Sequence, residues 1–128
     1  MTDLTALIER LKAATEGSRE LDYDIARSVG WTERVDAVDG KKWWANPDGI
    51  WGFVRPLTTS LDAALTLITP ETDIDYLELY CDNGQWFVKA ERLISGGNIV
   101  TLHRSEAGTD NPSLQVCIAS LLARKAGG

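Results

Sequence analysis

Asp75-Tyr76-Leu77-Glu78-Leu79-Tyr80-Cys81-Asp82-Asn83-Gly84-Gln85-Trp86-Phe87-Val88-Lys89-Ala90-Glu91-Arg92 decides the fold. Asn-Gly is the preferred pair for a two-residue type I′ loop, because both positions need a positive φ. A loop at Asn83-Gly84 sets Asp82 opposite Gln85 and so fixes a register that can be checked. That register pairs Cys81 with Trp86, Leu79 with Val88 and Leu77 with Ala90, an apolar set on one face. Tyr80 meets Phe87 and Glu78 meets Lys89 on the other face, while Asp75 meets Arg92 at the far end of the apolar face. Each complementary pair is worth ~0.2 to 1 kcal/mol.

Upstream lies a second hairpin. Asn46-Pro47-Asp48-Gly49 fits a type I turn with Pro47 preset at its second position and Gly49 in the left-handed conformation of a bulged hairpin. Its strands are 42–45 and 50–54, and Arg55-Pro56 ends it. Ser60, or Thr59 with Asp62, then caps a helix that runs to Ile68, with Leu61, Ala64, Leu65 and Ile68 on one face.

The N-terminal part is helical. Leu4, Leu7, Ile8 and Leu11 recur at helical spacing over 3–15, with Thr2 or Asp3 as cap. Gly17 releases the chain, Ser18 caps a second helix with Leu21, Ile25 and Val29 in line, and Gly30 stops it. Downstream of the long hairpin, Ser95-Gly96-Gly97-Asn98 turns into a strand over 99–104, and the Gly-Gly pair leaves its facing open. Asn111 caps a last helix with Pro112 in its first turn; Leu114, Val116, Cys117, Ile118, Leu121 and Leu122 surround it with apolar groups, and Arg124 and Lys125 suit its C-terminal end.

Four helices and about five strands, joined as sequential hairpins, predict an α+β domain with a mainly antiparallel sheet. Apolar residues fall on both sheet faces: Leu77, Leu79, Cys81, Val88 and Ala90 on one, Tyr76, Tyr80 and Phe87 on the other. Two helical layers over one five-stranded sheet, a three-layer α/β/α sandwich, follow as the expectation. At 128 residues with 44% hydrophobic content, residues 1–128 suffice for one core and are too few to suggest two domains.

Charge and composition exclude several partners. Thirteen Lys and Arg against 19 Asp and Glu give a net charge of -6, which argues against nucleic acid. The N-terminus alternates charged and apolar residues, unlike a signal peptide, and no run reaches the ~18 apolar residues of a membrane span. A cytoplasmic protein without a membrane partner is expected. Cys81 and Cys117 sit among apolar neighbours and read as buried, unreactive thiols. Nothing assigns an oligomeric state.

Catalytic and metal chemistry find no foothold. His103 is the single histidine and reads as a strand-surface residue; one His with two distant Cys gives no zinc spacing. Asp73-Ile74-Asp75 begins like a calcium loop, but Glu78 and Gly84 occupy positions that require Gly and Glu. Ser95-Gly96-Gly97-Asn98 lacks phosphate-loop spacing. No pair among the acids is singled out for hydrolysis. No cofactor, metal or catalytic residue is assigned, and the chain reads as a non-enzyme.

Two surfaces carry the functional signal. Trp31, Trp43, Trp44 and Trp51 are four of the five tryptophans and lie close to Arg34, Lys41, Lys42 and Arg55. Rings beside cations stack a planar group and hold its phosphate or carboxylate, so Trp43, Trp44, Trp51 and Arg55 are the candidate site for a small anionic or nucleotide-like ligand. The alternative surface is acidic: from Thr58 to Ile94 seven acids face two bases. Such a run serves either as a solvated sheet edge or as a surface that occupies a host protein.

The opening Leu7-Ile8-Glu9-Arg10-Leu11-Lys12-Ala13-Ala14-Thr15-Glu16-Gly17-Ser18-Arg19-Glu20-Leu21-Asp22, with Ile25-Ala26 and Gly30-Trp31, resembles the start of the phage ABA-sandwich domain family, small proteins encoded in phages and prophages. Pro56, Thr58-Thr59-Ser60-Leu61-Asp62-Ala63-Ala64-Leu65 and the closing helix with Leu114, Cys117, Ala119, Leu121 and Arg124 extend the resemblance; 69–106 resembles it least. The resemblance implies helices on both faces of an antiparallel sheet and an accessory role in the cytoplasm of a bacterial host, such as sequestering a host signal in counter-defence. It carries over no catalytic residue.

Overall fold

The computed structural model describes residues 4–127. Helices α1 (Leu4–Ala13) and α2 (Arg19–Ser28) precede strands β1 (Thr32–Val35), β2 (Lys42–Ala45) and β3 (Trp51–Gly52); helix α3 (Leu61–Leu65) then leads to strands β4 (Tyr76–Asp82), β5 (Gln85–Leu93) and β6 (Ile99–Arg104) and the last helix α4 (Pro112–Gly127). The expected cap at Thr2 or Asp3 lies outside the described residues. Ser18 Oγ accepts the Leu21 N–H at 3.1 Å, Ser60 Oγ the Ala63 N–H at 3.3 Å, and Asn111 Oδ1 the Leu114 N–H at 3.2 Å. Each cap stabilises its helix by about 1 kcal/mol. Helix α3 is shorter than expected, ending before Ile68, and Leu65 is exposed.

The long hairpin has the expected register, with Cys81 opposite Trp86, Leu79 opposite Val88 and Glu78 opposite Lys89. Lys89 Nζ lies 3.2 Å from Glu78 Oε2. The Asp75–Arg92 pair does not form. A left-handed residue at Asp73 turns its carboxylate and carbonyl toward Arg92, which reaches them at 3.0 and 3.1 Å, and Asp75 instead accepts the Leu93 N–H. Between Ala90 and Glu91 a bulge shifts the β5–β6 register, placing His103 opposite Ala90 and Thr101 opposite Glu91. An extra residue lets two successive side chains lean toward one face. Leu102 thus joins Val88, Ala90 and Ala119, and His103 lies half-buried on the helix side rather than on the open strand surface expected of it.

Six strands form two three-stranded antiparallel sheets, β1-β2-β3 and β4-β5-β6, instead of one sheet of about five. The reason lies after β3. That strand ends at Gly52, and the following segment bonds to α2 instead of another strand: Arg19 Nη2 donates to Val54 O at 2.8 Å, and Thr58 N–H to Asp22 Oδ1 at 2.7 Å. Helix α4 covers the Val88 and Ala90 face of the second sheet. The opposite face stays open, with Tyr76 and Tyr80 exposed, so the expected second helical layer does not lie there. Tyr80 and Phe87 shield each other by stacking, with centroids 5.3 Å apart, and the Glu78–Lys89 pair makes that face amphipathic.

Leu11, Ile25, Leu114 and Leu121 are fully buried where the four helices meet. A polar pin crosses this core. Asp22 accepts from Thr58 N–H and from Thr58 Oγ1 at 2.6 Å, Ser18 N–H donates to Thr58 Oγ1 at 2.9 Å, and Asn111 Nδ2 donates to Thr58 O at 2.9 Å. Gly17 is required beside it, since a Cβ there would sit 2.2 Å from Thr58 O. Both cysteines are free thiols. Cys117 is buried, and desolvation pushes its thiol well above the ordinary range; Cys81, read as buried, is exposed because β4 at the hairpin end lies beyond the cover of α4.

Candidate functional site

Strand alternation decides where the tryptophans go. In β2, Trp43 pairs with Arg34 and Trp44 with Glu33, so the two rings leave opposite faces. Trp44 stacks on Tyr23 of α2, with centroids 5.2 Å apart and planes 9° apart, and the Arg27 guanidinium lies over it at 5.1 Å. Arg27 is itself held by Asp24 at 3.0 Å and Glu33 at 3.5 Å. The Trp44 ring therefore joins the first sheet to α2 and already has an aromatic and a cationic partner. Trp43 is half-buried under Arg34, 5.9 Å away, and Trp51 is exposed with its ring edge-on to Phe53 at 4.7 Å. Of the four candidate residues, Arg55 lines a cavity of defined volume.

That cavity is a cleft of about 520 Å³ between the first sheet and the segment joining α3 to β4. It is lined by Trp31, Phe53, Arg55, Thr69, Glu71 and Arg124, together with the buried Ala26, Val54, Leu57 and Leu67. Trp31 is held against Gly52, where an added Cβ would stand 3.4 Å from the ring. Arg55 is exposed and makes no ion pair among the described residues. Arg124 is anchored: its Nη2 donates to Thr69 Oγ1 at 3.0 Å and Leu67 O at 3.4 Å, while its Nε is buried without a partner. Burial lowers the proton affinity of this guanidinium, and the nearby Glu71 carboxylate acts against that. Glu71 is held below the usual carboxylate range by hydrogen bonds from Thr69 and its own backbone N–H, and by Arg124.

The chemistry of the cleft is two guanidinium groups and two aromatic rings over an apolar floor. Arginines offer planar, bidentate recognition of phosphate or carboxylate, and aromatic walls take a planar ring. Glu71 adds an acceptor for a donor on the same ligand. Sequence reasoning reached Arg55 and saw Trp31 within the cluster, but missed Phe53, Glu71 and Arg124 as site residues. Arg124 carried a signal only as a cation at a helix C-terminus. No cluster of three or more His, Cys, Asp or Glu suited to a metal occurs among the described residues. No helix of the described chain is long and apolar enough to cross a membrane. Compared with protein-family models, curated proteins and solved structures, the chain matches none.

Proposed function

We propose that this protein is a non-catalytic binder of a small anionic, nucleotide-like ligand, held in the cleft between Arg55 and Arg124. The observation that carries the reading is the convergence of these two cations with Trp31 and Phe53 on one cavity. Arg55 and the anchored Arg124 would take the phosphate, Trp31 and Phe53 would flank the base, and Glu71 would accept from an exocyclic amine or ribose hydroxyl. In the setting that the phage resemblance implies, a protein that holds such a ligand without turning it over would sequester a signal in the host cytoplasm.

Calorimetry with adenosine monophosphate and a cyclic dinucleotide tests this. Arg55→Ala is expected to weaken binding by roughly tenfold, the loss of one charge-assisted hydrogen bond. Trp44→Phe, outside the cleft, is expected to leave affinity within about twofold, since it makes no cleft contact. Absence of binding by either nucleotide, or conversion of the nucleotide over time, would end the reading. The reverse ranking of the two variants would return the site to the strand tryptophans.

A second reading is favoured by the open face of the β4–β6 sheet. Tyr76, Glu78 and Tyr80 stand exposed there, next to the acidic edge formed by Asp75 and Asp82. A basic host protein seated on this face would supply the outer layer of the three-layer sandwich, and its capture from lysate would be released by moderate salt.

A further inference from the structure

A second cleft, of about 300 Å³, opens between α1, the first turns of α4 and the segment 103–109. Its wall is built before any ligand arrives. Ser105 N–H donates to Val88 O at 3.0 Å, and Thr109 exchanges backbone hydrogen bonds with Trp86 at 2.8 and 3.1 Å. Gln115, a polar residue buried on α4, accepts from Ser105 Oγ at 2.8 Å and donates to Trp86 O and Ala107 O at 3.2 Å each. Gly108 lies so close to β5 that an added Cβ would come within 2.8 Å of Phe87. These polar groups are saturated by the wall itself.

What remains for a ligand is an apolar floor and two rim charges of opposite sign, since Arg104, which also lines the cleft, stands opposite Lys89 in the sheet register and so shares the open face with the Glu78–Lys89 pair. Leu11, Ala14, Leu114 and Ile118 make the floor, and Lys12 and Glu106 stand on the rim. The rim charges are not paired with each other: Lys12 Nζ lies 3.7 Å from Glu9, and Glu106 makes no ion pair among the described residues. His103 lines the same cleft, and its Nε2 is buried without a partner. Burial first, and Lys12 second, lower its proton affinity against the pull of Glu106, so the imidazole adds no third charge near neutral pH.

We infer that this cleft binds a free apolar α-amino acid, its carboxylate at Lys12, its ammonium at Glu106 and its side chain on Leu11, Ala14, Leu114 and Ile118. A simple carboxylate would leave Glu106 facing an anion, and a simple amine would leave Lys12 facing a cation. A volume at the small end of ligand pockets suits an amino acid with one branched side chain.

The probe is L-leucine, titrated by calorimetry and by amide NMR against 4-methylpentanoate, which lacks the ammonium, and 3-methylbutylamine, which lacks the carboxylate. Leucine is expected to bind roughly two- to fivefold more tightly than either analogue, the range one exposed ion pair contributes. Its shifts should be confined to α1, 103–109 and the start of α4. Glu106→Gln should weaken leucine, tighten 4-methylpentanoate and bring their ratio toward one; Lys12→Gln should do the same for 3-methylbutylamine. Both substitutions fall on exposed side chains, so a folded variant is expected. The proposal fails if leucine gives no saturable shift at millimolar concentration, if either analogue equals it in the native protein, if the ratio is unchanged by Glu106→Gln, or if the shifts map to Trp31 and Arg55.

Discussion

Replacing Asp22 by alanine removes a carboxylate that is 1% exposed and accepts three hydrogen bonds, from Thr58 N–H at 2.7 Å, Thr58 Oγ1 at 2.6 Å and Arg19 Nη1 at 2.9 Å. The Arg19 bond contributes little to the total, because that guanidinium is half exposed and screened. The Thr58 bonds dominate, since both donors are buried: the N–H loses its acceptor, at about 1 to 3 kcal/mol, and the hydroxyl loses its shorter bond and keeps only Ser18 O at 3.1 Å. Thr58 also receives Asn111 and Ser18, so its displacement would loosen the start of α4 and the first turn of α2 together. The expected loss is about 3 to 5 kcal/mol. Asp22→Asn keeps an oxygen for Thr58 and turns its amide toward Arg19, and should cost only about 1 to 2 kcal/mol. Urea unfolding followed by circular dichroism measures both, with the slope expected to hold and the midpoint to fall. In thermal melts the alanine variant should lose roughly 10 to 20 °C. A loss under about 1 kcal/mol for Asp22→Ala, or equal losses for the two variants, would refute the claim that the Asp22–Thr58 pin holds these elements together.

The remaining expectations are separate. A thiol reagent should label Cys81 rapidly in the native protein and Cys117 only on unfolding, because burial disfavours the Cys117 thiolate; labelling of both at one rate would contradict this. Leu79→Ala should destabilise by about 2 kcal/mol or more, as its side chain packs against the helical core, whereas Tyr76→Ala on the open face should cost under about 1 kcal/mol by urea titration. His103 has a lowered proton affinity when folded, so the unfolded chain binds the extra proton first and stability should fall as pH drops below 6.5 toward the folded value. His103→Gln should flatten that part of the stability profile, and an unchanged slope would count against the burial of the imidazole.

The long hairpin was legible because its information is local. Asn83-Gly84 sets the loop, and the pleat then fixes every partner from Asp82–Gln85 to Tyr76–Glu91. Helix caps at Ser18, Ser60 and Asn111 were legible for the same reason, each acting within three residues. What failed depended on distant chain. Two short sheets and one sheet of five strands have the same alternation, and the difference arises where Val54 and Thr58 meet α2, 35 and 36 residues away from their partners. Nothing in the sequence around Asp22 sets it apart from the other polar residues of α2. Only Thr58, placed beside it by the fold, makes it the centre of the core's polar network.

Tryptophan density on β2 was the strongest compositional signal for a site, and the pleat is what divides it. Neighbours in a strand point apart, so Trp43 and Trp44 cannot line one surface, and the ring facing α2 acquires Tyr23 and Arg27 as partners. A cavity draws instead on residues that many elements deliver to one place. Trp31 leaves the end of α2, Phe53 and Arg55 follow β3, Glu71 sits in the turn before β4, and Arg124 comes from the last helix. The other cleft is assembled the same way, with Lys12 from α1 and Glu106 from the segment after β6. Closeness in sequence selects residues that share a strand, whereas a binding cavity selects residues whose backbones are far apart and whose side chains converge.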